Sequence, residues 1–277
     1  MKKLIHSICF LFFIAIVFSS CISTKKTNKT DNKPKKQETN EIQKNDFSYK
    51  IIDFSEQFDY LETKIKYPEF KNFPVLNKYI KNTIFSNYDN FKSFAKTSWT
   101  EINDFNSKDS KSTLPPFEFN LESEIYFSKN IISVLLKDYV YSGGAHGNIN
   151  LKAFNYHTEK DNFLSITDLI NDSYNNIARE CRTQLEEVLI HKNEILTTPS
   201  EIDQMQIMIN EGTFPQAGNF EIFTIEKNVV TVYFEPYSVA PYSYGIQKAT
   251  IKLNNRWFIS LQIFNIHLKV YLKYDIM

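Results

Sequence analysis

The side chains best suited to contact a ligand gather in two short runs. The first, Tyr139 to Gly147, holds Tyr139, Tyr141 and His146 together with three of the six glycines in the chain. The second, Glu235 to Gly245, holds Tyr237, Tyr242 and Tyr244 around Pro236 and Pro241. A tyrosine offers an apolar ring face and a hydroxyl that stays wet, which suits contact with a protein or a glycan. The opposing expectation is that these rings pack across strands. In Gly143-Gly144-Ala145-His146-Gly147 the glycines permit a tight corner at positive φ, with His146 bonded to nearby backbone. Pro236 and Pro241 stiffen the second run, and an X-Pro bond is where a cis peptide can occur.

Other chemistries find less footing. His146 and His157 flank one predicted strand, with Glu159 and Asp161 near the second, but a metal site needs three or four convergent ligands. No CxxC, HxxxH or HExxH spacing occurs. There is no GxSxG elbow, and Ser142 has no evident base beyond His146. The glycine run lacks the Lys-Ser/Thr that completes a phosphate loop. The expectation is therefore a non-enzymatic protein with no catalytic residue, no metal and no cofactor. A hydrolase using His146 and nearby acids is the alternative, and a structural protein without a ligand is a third reading.

The elements that must carry these runs read as α+β: antiparallel hairpins packed with two main amphipathic helices, as two related subdomains. Residues 48–67 alternate as two strands ending at Pro68. Asn72-Phe73-Pro74 reads as a helix start, and Leu76, Ile80, Ile84, Tyr88, Phe91 and Ala95 repeat at three- or four-residue steps to about Lys96. Phe117 to Leu136 forms a hairpin turning at Ser128-Lys129-Asn130, and another strand runs from Leu151 to Tyr156. Asp172 and Ser173 are cap candidates for a helix whose stripe is Ile177, Cys181, Leu185, Val188 and Leu189; a shorter helix covers Glu201 to Asn210. A second hairpin, Phe220 to Phe234, turns at Glu226-Lys227-Asn228, and a strand from Ala249 to Leu253 follows. The two hairpins echo each other at a constant spacing of 98: Lys129-Asn130 with Lys227-Asn228, Tyr139 with Tyr237, Gly147 with Gly245.

The N-terminus reads as an address. Lys2 and Lys3 precede an uncharged apolar run from Leu4 to Phe18, too short to span a bilayer, and Ser19-Ser20-Cys21 closes it. This resembles a bacterial lipobox, with Phe18 where Leu is usual. It implies lipidation of Cys21 and a membrane partner through the lipid. The expected organisation is a signal peptide over 1–20, a disordered Lys/Asn-rich tether over 21–46, α+β domains over 47–158 and 159–255, and an unassigned segment over 256–277. Of the three cysteines, Cys9 leaves with the signal and Cys21 carries lipid. Cys181 is then alone and expected as a buried, inert thiol. Basic and acidic residues balance at 32 each, which argues against nucleic acid as a partner.

Tyr141-Ser142-Gly143-Gly144-Ala145-His146, Leu164-Ser165-Ile166-Thr167-Asp168-Leu169-Ile170 and Val232 to Gly245 resemble the domain-of-unknown-function family numbered 3298. Residues 47–140 resemble its companion, numbered 4163. The resemblance implies an extracytoplasmic module near the cell wall, as in a lysozyme-binding anti-sigma factor and in peptidoglycan deacetylases where the pair accompanies a catalytic domain. It implies a lysozyme-like protein or a peptidoglycan fragment as partner. This chain departs from both patterns, with no recognisable anti-sigma segment and no separate deacetylase domain.

Overall fold

Twelve residues, Phe47–Phe58, form the strand β3, and Leu61–Phe70 turns back along it as β4, with Phe58 opposite Leu61. On β4 the side chains of Leu61, Thr63, Ile65 and Tyr67 are buried in strict alternation, the signature of one face packed on a core. Pro68 lies inside β4, where the sequence predicted an end. The N–H and C=O of Ile51 opposite it turn away to Thr39, so no rung of the ladder needs an N–H from Pro68. Before these strands, Lys35–Glu38 (β1) and Ile42–Lys44 (β2) both pair with β3. The expected tether through residue 46 is corrected over this stretch. Exposed polar residues suffice there, because an edge strand gains its bonds from backbone and needs no apolar side chains.

The computed structural model describes residues 34–44, 47–106, 115–170, 173–192, 194–196 and 198–253. The expectations for the signal segment, Cys21, Asp172 and residues 256–277 lie outside these. The described residues fall within one compact unit.

Helix α1 runs Pro74–Asn106, ten residues beyond Lys96. Trp99 and Ile102 explain the extension, since they continue the packing stripe onto the sheet, Trp99 with its ring 6.3 Å from that of Phe117. The start lies just past the predicted Asn72 cap. There Asn77 instead bonds both the N–H and the C=O of Phe70. Because α1 carries the chain back across the sheet, β5 (Phe117–Ser128) adds parallel to β4, the one parallel pairing among the described strands. The meander continues through β6 (Ile131–Tyr141), β7 (Asn148–His157) and the short β8 (Asn162–Phe163), all antiparallel.

Strand β6 is covered on both faces, which is why Ile131 to Leu136 is almost continuously buried. Ile132, Val134 and Leu136 face α1 with Ile80, Ile84 and Tyr88. Leu135 meets Leu151 and Tyr233 on the other side. That side is covered by a small sheet, β9 (Phe223–Glu226), β10 (Val229–Phe234) and β11 (Gln247–Lys252), in the order β11-β10-β9. The helices α2 (Ile166–Leu169), α3 (Tyr174–Glu186, passing into a π turn over 187–191) and α4 (Pro199–Gly212) share a second core with it. A buried polar bridge ties the two sheets. Ser133 Oγ donates to Asn155 Oδ1 at 2.6 Å and accepts from the N–H of Ile225 at 3.0 Å, and Asn155 Nδ2 donates to the Phe223 carbonyl at 2.8 Å. Each partner is satisfied, which is the condition for burying polar groups at little cost.

The α+β expectation holds. The echo holds in part. Lys129 and Lys227 both adopt positive φ, 47° and 56°, at equivalent hairpin turns. Ile125 opposes Val134 as Phe223 opposes Val232. The third strand breaks the correspondence: Val134 opposes Phe154, whereas Val232 opposes Ala249, three positions short of the equivalent Lys252. The corners joining the second and third strands therefore differ in length.

Cys181 is fully buried on α3, and burial pushes its thiol up to about 12. Only the thiolate reacts readily. Peptide mapping after iodoacetamide treatment should show Cys181 unmodified in folded protein and modified once urea unfolds it. Labelling at equal rates in both would contradict the burial.

Candidate functional site

The two tyrosine-bearing runs meet. The corner at residues 142–147 joins β6 to β7, with Gly143 at φ 88° and its α-carbon beside the Phe117 ring. The second corner, residues 235–246, joins β10 to β11 and closes through a 3₁₀ turn at Tyr242–Tyr244. It is held by its own backbone bonds, Tyr237 N–H to Ala240 carbonyl and Ser238 N–H to Glu235 carbonyl, both 3.0 Å. Val239 and Ala240 are buried, which anchors the corner in the second core. The peptide bonds at Pro236 and Pro241 are trans, so the cis bond considered from sequence is not used.

Tyr242 lies flat on His146, ring centres 3.8 Å apart and planes 19° from parallel. The Gly147 carbonyl accepts from the Tyr242 hydroxyl at 2.6 Å and lies 2.9 Å from His146 Nδ1. A carbonyl only accepts, so Nδ1 carries the proton and Nε2 of the neutral ring is left as an acceptor. Tyr139 closes the other side, its ring lying directly on Gly147. Tyr237 stands 5.6 Å from Tyr242, ring centre to ring centre, and is 57% exposed. Its φ of 72° is unusual for a bulky residue, and such conformations persist where surrounding structure imposes them. Four of the six predicted contact residues, Tyr139, His146, Tyr237 and Tyr242, thus converge. Tyr244 turns to the second core. Tyr141 ends β6 opposite Glu118, half-buried.

Two acids on the elements that carry these corners were not singled out by sequence reading. Glu235 opens the second corner and accepts from the Leu151 N–H on the free edge of β7. Burial raises its carboxyl above the usual range; the Leu151 bond works against this, and the Asp138 charge adds to it. Asp138, on β6 beside Tyr139, is 7% exposed, and its Oδ1 has no partner among the described residues. Burial raises it too, opposed by bonds from Asn150. A signal existed: Leu136, Asp138 and Val140 share one strand face, so an acid stands at a core-facing position.

A carboxyl raised in the folded state favours folding while protonated, and that contribution is lost as pH rises from about 3.8 through the raised value. Asp138→Asn removes the buried charge. It is expected to unfold at a higher temperature than wild type at pH 7, with the gain shrinking towards pH 4. Calorimetric scans against pH would show this, and a gain independent of pH would refute it.

The histidines do not form a metal site. They lie at opposite ends of β7, and His157 is buried with its Nδ1 accepting from the Lys160 N–H. Burial lowers its pKa, and the Lys160 charge adds to this. Among the described residues no group of three potential metal ligands comes together.

Two family models match the chain. One, described as "Deacetylase PdaC", matches residues 54–149, and the other, a protein family of unknown function termed DUF3298, matches residues 167–254. A PdaC-type segment is followed by a DUF3298 segment. The chain is 30% identical over 145 residues to peptidoglycan-N-acetylmuramic acid deacetylase PdaC of Bacillus subtilis strain 168, a match covering 52% of this chain and 29% of that protein. It thus spans under a third of the relative. A DUF3298 family member from Bacteroides fragilis has a similar fold, with a TM-score of 0.55, 17% identity, and coverage of 75% of this chain and 90% of that one. A DUF3298 protein from Pseudomonas aeruginosa aligns with a TM-score of 0.48 and 14% identity, over 79% and 90% of the two chains.

These matches correct the non-enzymatic expectation. The relative is an enzyme, and the model over residues 54–149 carries a deacetylase's description. The absence of short catalytic motifs does not exclude an enzyme. Such motifs report only sites whose residues are close in sequence, whereas folding joins residues as distant as His146 and Tyr242.

Proposed function

We propose that this protein works outside the cytoplasm on peptidoglycan, as a hydrolase that removes acetyl groups from amino sugars of the glycan. The observation that carries this reading is the kinship over 145 residues with an enzyme named for that reaction. The geometry supplies a compatible site. The exposed Tyr237 face offers a platform for a sugar ring, and Nε2 of the neutral His146 ring is the acceptor a base needs. Water would attack the amide carbonyl while Nε2 takes its proton. Glu235, held towards its protonated form, would pass a proton to the departing amine. Acetate and a free amino sugar result.

The membrane attachment suggested by Ser19-Ser20-Cys21 belongs to the same proposal, since a lipid on Cys21 would hold the protein beside the cell wall. Incorporation of labelled palmitate that disappears in Cys21→Ser would support it. The activity is tested by incubating purified full-length protein in detergent with peptidoglycan and measuring released acetate. Sustained release above a heat-inactivated control is the expected result. None over a range of pH and added divalent cations would overturn the reading.

A further inference from the structure

Away from the aromatic corners, a cleft of about 510 Å³ opens between α3 and β11. Strand β11 is the last of the small sheet, so one of its edges has no neighbouring strand among the described residues. Gln184 of α3 takes one place on that edge. Its amide donates to the Thr250 carbonyl at 2.8 Å and accepts from the Thr250 N–H at 2.9 Å, a single side chain imitating one rung of a ladder. Lys252, two residues on, presents its backbone to the same side, because strand geometry repeats every second residue. The cleft is lined there by Ile177 and Ile251, and by two exposed cations, Arg179 and Lys252. Neither cation has an ion-pair partner among the described residues. Among the described residues Glu180 is the one acid in the lining, and it accepts from the Gln184 amide at 3.0 Å.

A strand edge open among the described residues, beside two exposed cations, is complementary to an extended peptide that ends in a carboxylate. The edge supplies backbone hydrogen bonds, and guanidinium and ammonium groups hold the terminal charge. We propose that this cleft binds such a peptide, with Arg179 and Lys252 on its carboxylate and its backbone running along β11. The natural source rests on the peptidoglycan reading: the short peptide stems attached to the glycan carry free carboxylates. A stem seated here would hold the glycan by a second point of contact, separate from the aromatic corner.

The test is a calorimetric titration of full-length protein in detergent with a synthetic stem tetrapeptide, its C-terminal amide, and the disaccharide without a stem. Wild type is expected to bind the free acid at least tenfold more tightly than the amide, a difference of about 1.4 kcal/mol. Arg179→Leu should lose that preference, and Arg179→Lys should recover part of it. Equal binding of acid and amide by wild type would overturn the proposal, and this comparison decides even if Arg179→Leu fails to fold. Tyr237→Ala is expected to leave tetrapeptide binding unchanged while weakening the disaccharide, and loss of both would overturn the separation of the two sites. Carboxylate-dependent binding without any acetate release would sink the enzymatic reading and spare the cleft. Acetate release without a preference for the acid would do the reverse.

Discussion

His146→Ala is expected to slow acetate release from peptidoglycan by about 10²- to 10⁴-fold, the range for a lost general base. The expectation follows from the Gly147 carbonyl, which fixes the ring's proton on Nδ1 and leaves Nε2 of the neutral ring as an acceptor. Tyr242 reinforces the position by stacking on the ring and bonding the same carbonyl. Tyr242→Phe retains the stack and loses the bond, so a smaller loss, on the order of tenfold, is expected for it. The measurement is initial acetate release at equal concentrations of folded protein. A His146→Ala rate close to that of wild type would remove the imidazole from the mechanism, whatever the fate of Tyr242→Phe.

Gly212→Ala should cause one of the largest losses of stability open to a single methyl group. A β-carbon at Gly212 would lie 2.1 Å from the Ser238 carbonyl oxygen and 2.5 Å from Val239 Cγ1. Neither can yield cheaply, because the first is backbone and the second belongs to a residue with no exposed surface. The cost is expected at about 1–3 kcal/mol, the usual range for overpacking a tight contact, and the thermal midpoint should fall by several degrees. The strain falls on the corner that carries Tyr237 and Tyr242, so activity should decline before global unfolding. Gly218→Ala is the control, since its β-carbon would meet nothing within 4 Å. Equal melting temperatures for the two variants would contradict the close approach of α4 to the corner.

Much of the local structure was legible. The three- and four-residue repeats in α1 and α3, the alternation on β5 and the Lys-Asn turns at 129 and 227 all depend on neighbours in sequence, and they fold as read except at the end of α3, where the π turn leaves Val188, expected on the buried stripe, 56% exposed. The misreadings share a different origin. Pro68 sits inside a strand because a distant residue, Thr39, takes the bonds of Ile51. Residues 35–44 pair with β3 although their own side chains give no reason to. The three-position slip of β11 breaks an echo that looked regular in sequence.

The amino-acid sequence by itself determined the α+β class, the hairpins, the helices and the concentration of tyrosine and histidine in two runs. These follow from periodicity, turn chemistry and side-chain type, which act over a few residues. Only the tertiary structure decided that the runs meet, that Tyr242 covers His146, that Tyr244 turns inward, and that Glu235 bonds the edge of β7. Those outcomes depend on burial and on hydrogen bonds between residues about 90 positions apart, such as Tyr242 to Gly147 and Glu235 to Leu151. No local pattern encodes them, because the packing of one sheet on another sets which side chains share a surface.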